Sequence, residues 1–128
     1  MGFDQLEESG AVAVTILARI RVVVPTSKRE EVVRTLRSML GPTEVEPGCL
    51  SCRFYQDIQD ESVLNYVEEW RSKEDLLRHL RSEQYRKLLA VVDTSQEEPE
   101  IRFDTISQTE GIEAIRSART PSIDAAKA

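Results

Sequence analysis

Residues 62–82, SVLNYVEEWRSKEDLLRHLRS, carry two hydrophobic periods back to back. From Ser62 to Trp70 the side chains alternate, with Leu64, Tyr66, Glu68 and Trp70 on one face and Asn65, Val67 and Glu69 on the other. That period of two predicts a strand. Ser72 then stands where a helix N-cap belongs, with Asp75 in the reciprocal position and Leu76, Leu77 and Leu80 following at helical spacing. Ser82 has the character of a second cap, so the helical region is expected to bend there and resume through Tyr85, Leu88, Leu89 and Val92.

Working back toward the N-terminus, Cys49 to Asp57 (CLSCRFYQD) reads as the hairpin partner of this strand across a polar turn, Ile58 to Glu61. Val12 to Val24 (VAVTILARIRVVV) reads as a long strand. Val12, Val14, Ile16, Ala18, Ile20, Val22 and Val24 form one apolar face, while Thr15, Arg19 and Arg21 share the other with Ala13, Leu17 and Val23. Pro25 ends it. Ser27 with Glu30 has the spacing of a capping box, and Val32, Val33, Leu36, Met39 and Leu40 follow at helical positions until Gly41-Pro42, where the helix is expected to stop. Thr43 to Glu46 is then a loop or short helical turn leading to Pro47-Gly48. Downstream, Pro99 precedes a final strand, Ile101 to Ser107, and Gly111 to Arg116 adds a short helical turn before the tail.

Strand, helix, strand, strand, helix, strand is the α+β order of a ferredoxin-like βαββαβ domain, with an antiparallel sheet and both helices on one face. The expected division is an N-terminal extension (1–11), the domain (12–108) and a C-terminal tail (109–128). A four-stranded sheet with helices on one side leaves its other face open. The first strand brings apolar groups to both faces, so a second copy, sheet against sheet as a dimeric α+β barrel, is the expected cover.

Composition narrows the function classes. The chain has 128 residues, 40% hydrophobic and 31% charged, which suits one globular domain. No apolar run approaches the roughly 20 residues that cross a bilayer. Residues 1–11 are acidic and polar, unlike a signal peptide, so a cytoplasmic protein is expected. The net charge is −6, from 23 acids and 17 bases. The densest basic segment, Arg71 to Lys87, interleaves its bases with Glu74, Asp75 and Glu83, a solvated helix face rather than a phosphate-binding patch. Neither nucleic acid nor a membrane is an expected partner.

Four features bear on chemistry. Cys49-Leu50-Ser51-Cys52 has C-x-x-C spacing, but along an extended strand residues i and i+3 lie about 10 Å apart on opposite faces. A disulfide needs Cα atoms within ~7 Å, so two structural thiols are expected. His79 is the only histidine and falls at the border of the helix's buried face. It is either a border residue with a satisfied ring nitrogen or an acid–base group looking into a cavity under the helix. Arg53 is placed to pair across the hairpin with Glu68 or Glu69, and Tyr66 and Trp70 are either core or the wall of an aromatic-binding pocket. Finally, no G-x-G-x-x-G, Walker A, H-E-x-x-H or G-x-S-x-G motif is present, so any chemistry is expected to need no bound cofactor or metal.

Glu46-Pro47-Gly48-Cys49 before a strand, Tyr55-x-Asp57 at its end, Glu68-x-Trp70 closing the next, then Ser72 and His79-Leu80-x-Ser82, together resemble the antibiotic biosynthesis monooxygenase family over roughly residues 16–105. The resemblance implies a dimeric α+β barrel with its site between sheet and helices. It also implies, as one branch, cofactor-independent oxygenation of quinols or anthrones, in which the deprotonated substrate itself reduces dioxygen. In that reading His79 is base or donor. Trp70, Tyr66, Glu68 and Tyr85 line the pocket, and Arg53 or Asn65 steadies a phenolate oxygen. The haem-degrading branch places Asn, Trp and His where this chain has Ala18, His79 and Leu89, so haem degradation is not expected. The alternative is a non-catalytic ligand-binding or dimerisation module of the same fold.

Overall fold

The structure, a computed structural model, describes residues 14–121. The expectations for residues 1–13, including the start of the first strand at Val12 and Ala13, and for the end of the tail lie outside the described residues. Within them the elements run β1 (Thr15–Val23), α1 (Thr26–Glu44), β2 (Cys49–Gln56), β3 (Val63–Trp70), α2 (Lys73–Leu80), α3 (Glu83–Val92), β4 (Glu100–Ile106) and α4 (Ile112–Arg119). The strands form one antiparallel sheet in the order β2-β3-β1-β4, the ferredoxin-like arrangement.

The most apolar strand takes an inner position. β1 pairs with β3 on one side and β4 on the other, and its Ile16, Ala18, Ile20 and Val22 are buried under the helices. On β3 the same inner face carries Leu64, Tyr66, Glu68 and Trp70, all buried. α1 lays Val32, Leu36, Met39 and Thr43 onto this layer, and α3 adds Tyr85, Leu88 and Val91. A smaller cluster, Ile16, Ala18, Trp70 and Leu76, sits under α2.

Three local expectations are corrected. α1 begins at Thr26 after Pro25, with no side-chain cap, so Ser27 and Glu30 already lie inside the helix. Pro25, at φ −62°, has the backbone setting of an N-cap by itself. α1 also runs through Gly41-Pro42 to Glu44, because burial of Thr43 continues the stripe of Val32, Leu36 and Met39 by one more turn. Leu89 is exposed, and Val91 fills the core position instead, one turn on from Leu88. The two serine caps form as expected: the Ser72 hydroxyl accepts from Asp75 N–H at 3.2 Å and Ser82 from Tyr85 N–H at 3.3 Å. The turn at Gly111 is a longer helix than expected, and none of its residues is buried.

The outer face of the sheet is more charged than apolar. Leu17, Val63 and Val67 share it with Arg19, Arg21, Asn65, Glu69, Glu100, Arg102 and Asp104. Arg19 and Arg102 are direct cross-strand neighbours, a like-charge pairing relieved by Asp104, which lies 3.6 Å from Arg19 and 3.5 Å from Arg102. No helix among the described residues is long and apolar enough to cross a membrane.

Candidate functional site

The inner face of β3 meets α2 in a buried polar cluster. Glu68 and Trp70 are two residues apart on one strand face, so their side chains stand side by side, and the Trp70 indole N–H donates to Glu68 Oε1 at 2.9 Å. α2 lowers His79 onto this pair. Its Nε2 lies 2.8 Å from Glu68 Oε2, and its Nδ1 lies 3.0 Å from both oxygens of Glu46, on the turn after α1. The imidazole rests on the Trp70 ring, centroids 4.7 Å apart, and meets Tyr85 edge-on at 5.2 Å. His79 and Trp70 are 0% exposed and Glu68 is 2% exposed. The Glu46 side chain, 21% exposed, is the member that reaches solvent.

This geometry favours the protonated form of His79. Burial works to lower its pKa, but the hydrogen bond and charge of Glu68 and the charge and hydrogen bond of Glu46 outweigh it, so the pKa is raised. Both ring nitrogens face carboxylates at hydrogen-bond distance, with the ring over an indole face. The expectation that His79 lies at the border of the buried face is corrected: it is fully buried, and a carboxylate meets each ring nitrogen. Both carboxylates favour its protonated form, in which it offers two N–H donors.

Beside this cluster, Tyr66 hydroxyl and Cys52 Sγ are 3.1 Å apart. Burial first, and then the Glu68 charge, raise the Tyr66 pKa and push Tyr85 to about 12. Cys52 is raised to about 12 by burial and Cys49 to about 11 by burial and then Glu68. These groups stay neutral at physiological pH. The two thiols are not on opposite faces. A bulge at Leu50 pairs Cys49 with Trp70 and Cys52 with Glu68, two positions apart on β3, so both point toward the helices. They remain free, Cys52 buried and Cys49 partly so. Among the described residues no group of three or more His, Cys, Asp or Glu side chains is placed to hold a metal ion.

Two expected site residues lie elsewhere. Arg53 is opposite Val67 and Asn65 opposite Tyr55, both on the outer face, away from the inner-face cluster. Arg53 does not pair with Glu68 or Glu69; it reaches Glu44 at 3.5 Å. The alternation of β2 turns it away from Glu68, while Glu69, on its own face, is opposite Ser51 and accepts from the Thr15 hydroxyl at 3.1 Å. Asn65 instead borders a cavity of about 30 Å³ with Arg19, Arg21, Glu100 and Arg102. Larger surface depressions lie along α2, about 480 Å³ between Glu74, Leu77, Arg78 and Arg81, and beside α4, about 630 Å³. None of these touches the buried cluster.

Glu46 is the residue that the sequence alone did not place in the site. Its one signal was its position before Pro47-Gly48, a turn that brings the chain back over the sheet from α1.

Comparison with known proteins agrees with this architecture. Residues 13–91 match the sequence profile of the family described as antibiotic biosynthesis monooxygenase. The uncharacterised protein sll1783 of Synechocystis is 26% identical over 90 residues, which is 70% of this chain and 61% of that protein. The matched segment thus spans less than two thirds of that relative's length. A candidate antibiotic biosynthesis monooxygenase of Nitrosomonas europaea superposes with a TM-score of 0.67 at 18% identity, covering 76% of this chain and 94% of that one. Rv0793 of Mycobacterium tuberculosis gives a TM-score of 0.64 at 20% identity, covering 76% and 97%. At such identities the solved structures share the fold alone. The profile match covers strands β1 to β3 and the Glu46–His79–Glu68–Trp70 cluster, and the chain belongs to the antibiotic biosynthesis monooxygenase family.

Proposed function

We propose that this chain is a cofactor-independent oxygenase of a small aromatic polyol, of the quinol or anthrone type, working at the Glu46–His79–Glu68–Trp70 cluster. One observation carries the reading: a fully buried imidazole held between two carboxylates and an indole, with Glu46 leading to the surface. A buried ion cluster of this kind is weak as a stabilising device, and buried titratable groups with shifted pKa values concentrate at working sites. In the proposed chemistry a phenolic or enolic O–H enters from the Glu46 side and gives its proton to the Glu46 carboxylate. The Nδ1–H of His79 then donates to the new oxyanion, in a setting of low dielectric where that bond is strong. The electron-rich ring reduces dioxygen. For an anthrone, one oxygen atom becomes the ring carbonyl and the other leaves as water with the two methylene hydrogens, so no external reductant is consumed. Trp70, Tyr66 and Tyr85 supply the aromatic wall.

Oxygen uptake with a panel of quinols and anthrones tests this. Turnover by the native protein and a loss on the order of 10²-fold in both His79→Ala and Glu46→Gln are expected. Equal turnover by the variants, or none by the native protein on any of the panel, removes the assignment.

A second reading, a non-catalytic binding or dimerisation module, is favoured by the absence of solvent exposure at His79 and Trp70. It predicts no uptake with any of the same compounds; a rise in Tm without uptake marks a binding module, and no rise a dimerisation module. Under either reading we propose that the open face of the sheet pairs with a second copy, since Leu17 and Val67 lie there partly exposed among charges of both signs. Sedimentation giving a monomer mass at micromolar concentration argues against that pairing.

A further inference from the structure

The turn that delivers Glu46 is held from below. Gly48, at φ +82°, takes a conformation that disfavours any side chain. A Cβ built there would also run into the Asp75 carboxylate and its Cβ. Asp75 is itself buried and fixed. Its Oδ2 accepts from the Ser72 hydroxyl at 2.8 Å, its Oδ1 from Arg78 at 2.9 Å, and Arg71 stands 3.5 Å away. Burial opposes ionisation of Asp75, but these partners outweigh it and lower its pKa. The Arg71 N–H donates to Gly48 O at 2.8 Å, and the Cys49 N–H donates to Glu46 O at 3.1 Å, closing the turn.

Asp75 and His79 are four residues apart on α2 and therefore share a helix face. Glu46 and Gly48 are two residues apart on the turn. The helix thus meets the turn at two points, Asp75 against Gly48 and His79 against Glu46.

We propose that Asp75 is a positioning residue of the site: by packing against the bare Cα of Gly48 it sets the turn so that the Glu46 carboxylate meets His79 Nδ1. The inference rests on the reading of the cluster as the working site. Its test reads the ionisation of His79 alone, so a missing clamp and a missing oxygenase activity are seen separately.

The chain's single histidine gives one imidazole signal in an NMR titration of the full-length protein. The groups facing that ring are Glu46 from the turn, Glu68 and Trp70 from β3, and Tyr85 from α3. Glu46→Gln sets the scale, a fall of roughly one pKa unit for loss of an opposite charge in contact. Asp75→Ala and Gly48→Ala are each expected to reproduce that fall, because each displaces the turn. Asp75→Asn keeps the shape against Gly48 and is expected to titrate like the native protein. Ser72→Ala removes the cap but not the contact, and is expected to lower Tm without moving His79. Native-like titration of both Asp75→Ala and Gly48→Ala overturns the proposal. So does an equal shift in Asp75→Asn and Asp75→Ala, which assigns the effect to charge instead of position. Should Asp75→Ala fail to fold, Gly48→Ala and Asp75→Asn decide between these outcomes.

Discussion

The two faces of the sheet carry the same kinds of charged group in opposite settings. On the inner face, Glu68 and His79 are sealed from water, and every polar atom of the pair has a partner: Trp70, Glu46, or each other. On the outer face, Arg19, Arg102 and Asp104 lie within ion-pair distance while their side chains stay substantially exposed. Separation alone does not distinguish the two groups in kind. Desolvation does. Water screens the outer charges and can replace any partner they lose. The inner charges have only one another, so each depends on the exact set of neighbours, and their protonation is a property of the cluster.

The largest test of that contrast is Glu68→Ala. It leaves the buried imidazole with one carboxylate and the Trp70 N–H with none, and is expected to cost about 3–5 kcal/mol in urea unfolding. A cost below 1 kcal/mol would mean that water enters the cluster freely, and would erase the distinction between the faces.

The next is the dependence of stability on pH. The folded-state pKa of His79 is raised above its unfolded value of about 6.5. Its contribution is therefore fully present below about pH 6.5 and declines as pH rises through the folded pKa, by at most about 1.4 kcal/mol per pH unit. Urea midpoints measured across that range should fall with rising pH in the native protein. In Glu68→Gln the dependence should flatten. An identical slope in both would show that the inner carboxylate does not hold the proton.

The smallest effect belongs to the outer face. Arg19→Ala should change stability by less than about 1 kcal/mol, and 0.5 M salt should remove the difference. A salt-resistant loss above 2 kcal/mol would place Arg19 in a buried environment, as contact with a second copy would.

Much of the inner face was legible in the chain. The alternation of Leu64, Tyr66, Glu68 and Trp70 assigned them to one side of a strand, and Ser72 marked the start of the helix that bears His79. Both signals are local: a period of two and a cap three residues from its donor. Where a local signal met a tertiary demand, it lost. Gly41-Pro42 did not stop α1, because Thr43 had a buried place to fill. The C-x-x-C spacing put its thiols on opposite faces only for a regular strand, and the bulge at Leu50 moved both to the same side. The parity of Arg53 on β2 put it on the face away from Glu68, and Glu69, on its own face, was taken by Thr15, so Arg53 reached Glu44.

By itself, then, the order of periodic segments determined the βαββαβ fold, the inner and outer faces of β3 and the helix that carries the single histidine, because those depend on neighbours within a few residues. The state of that histidine was decided only in three dimensions. Glu46 lies 33 positions before His79 and Glu68 lies 11 before it. No periodicity links the three, and a pKa depends on which charges share a desolvated space, which folding alone brings about.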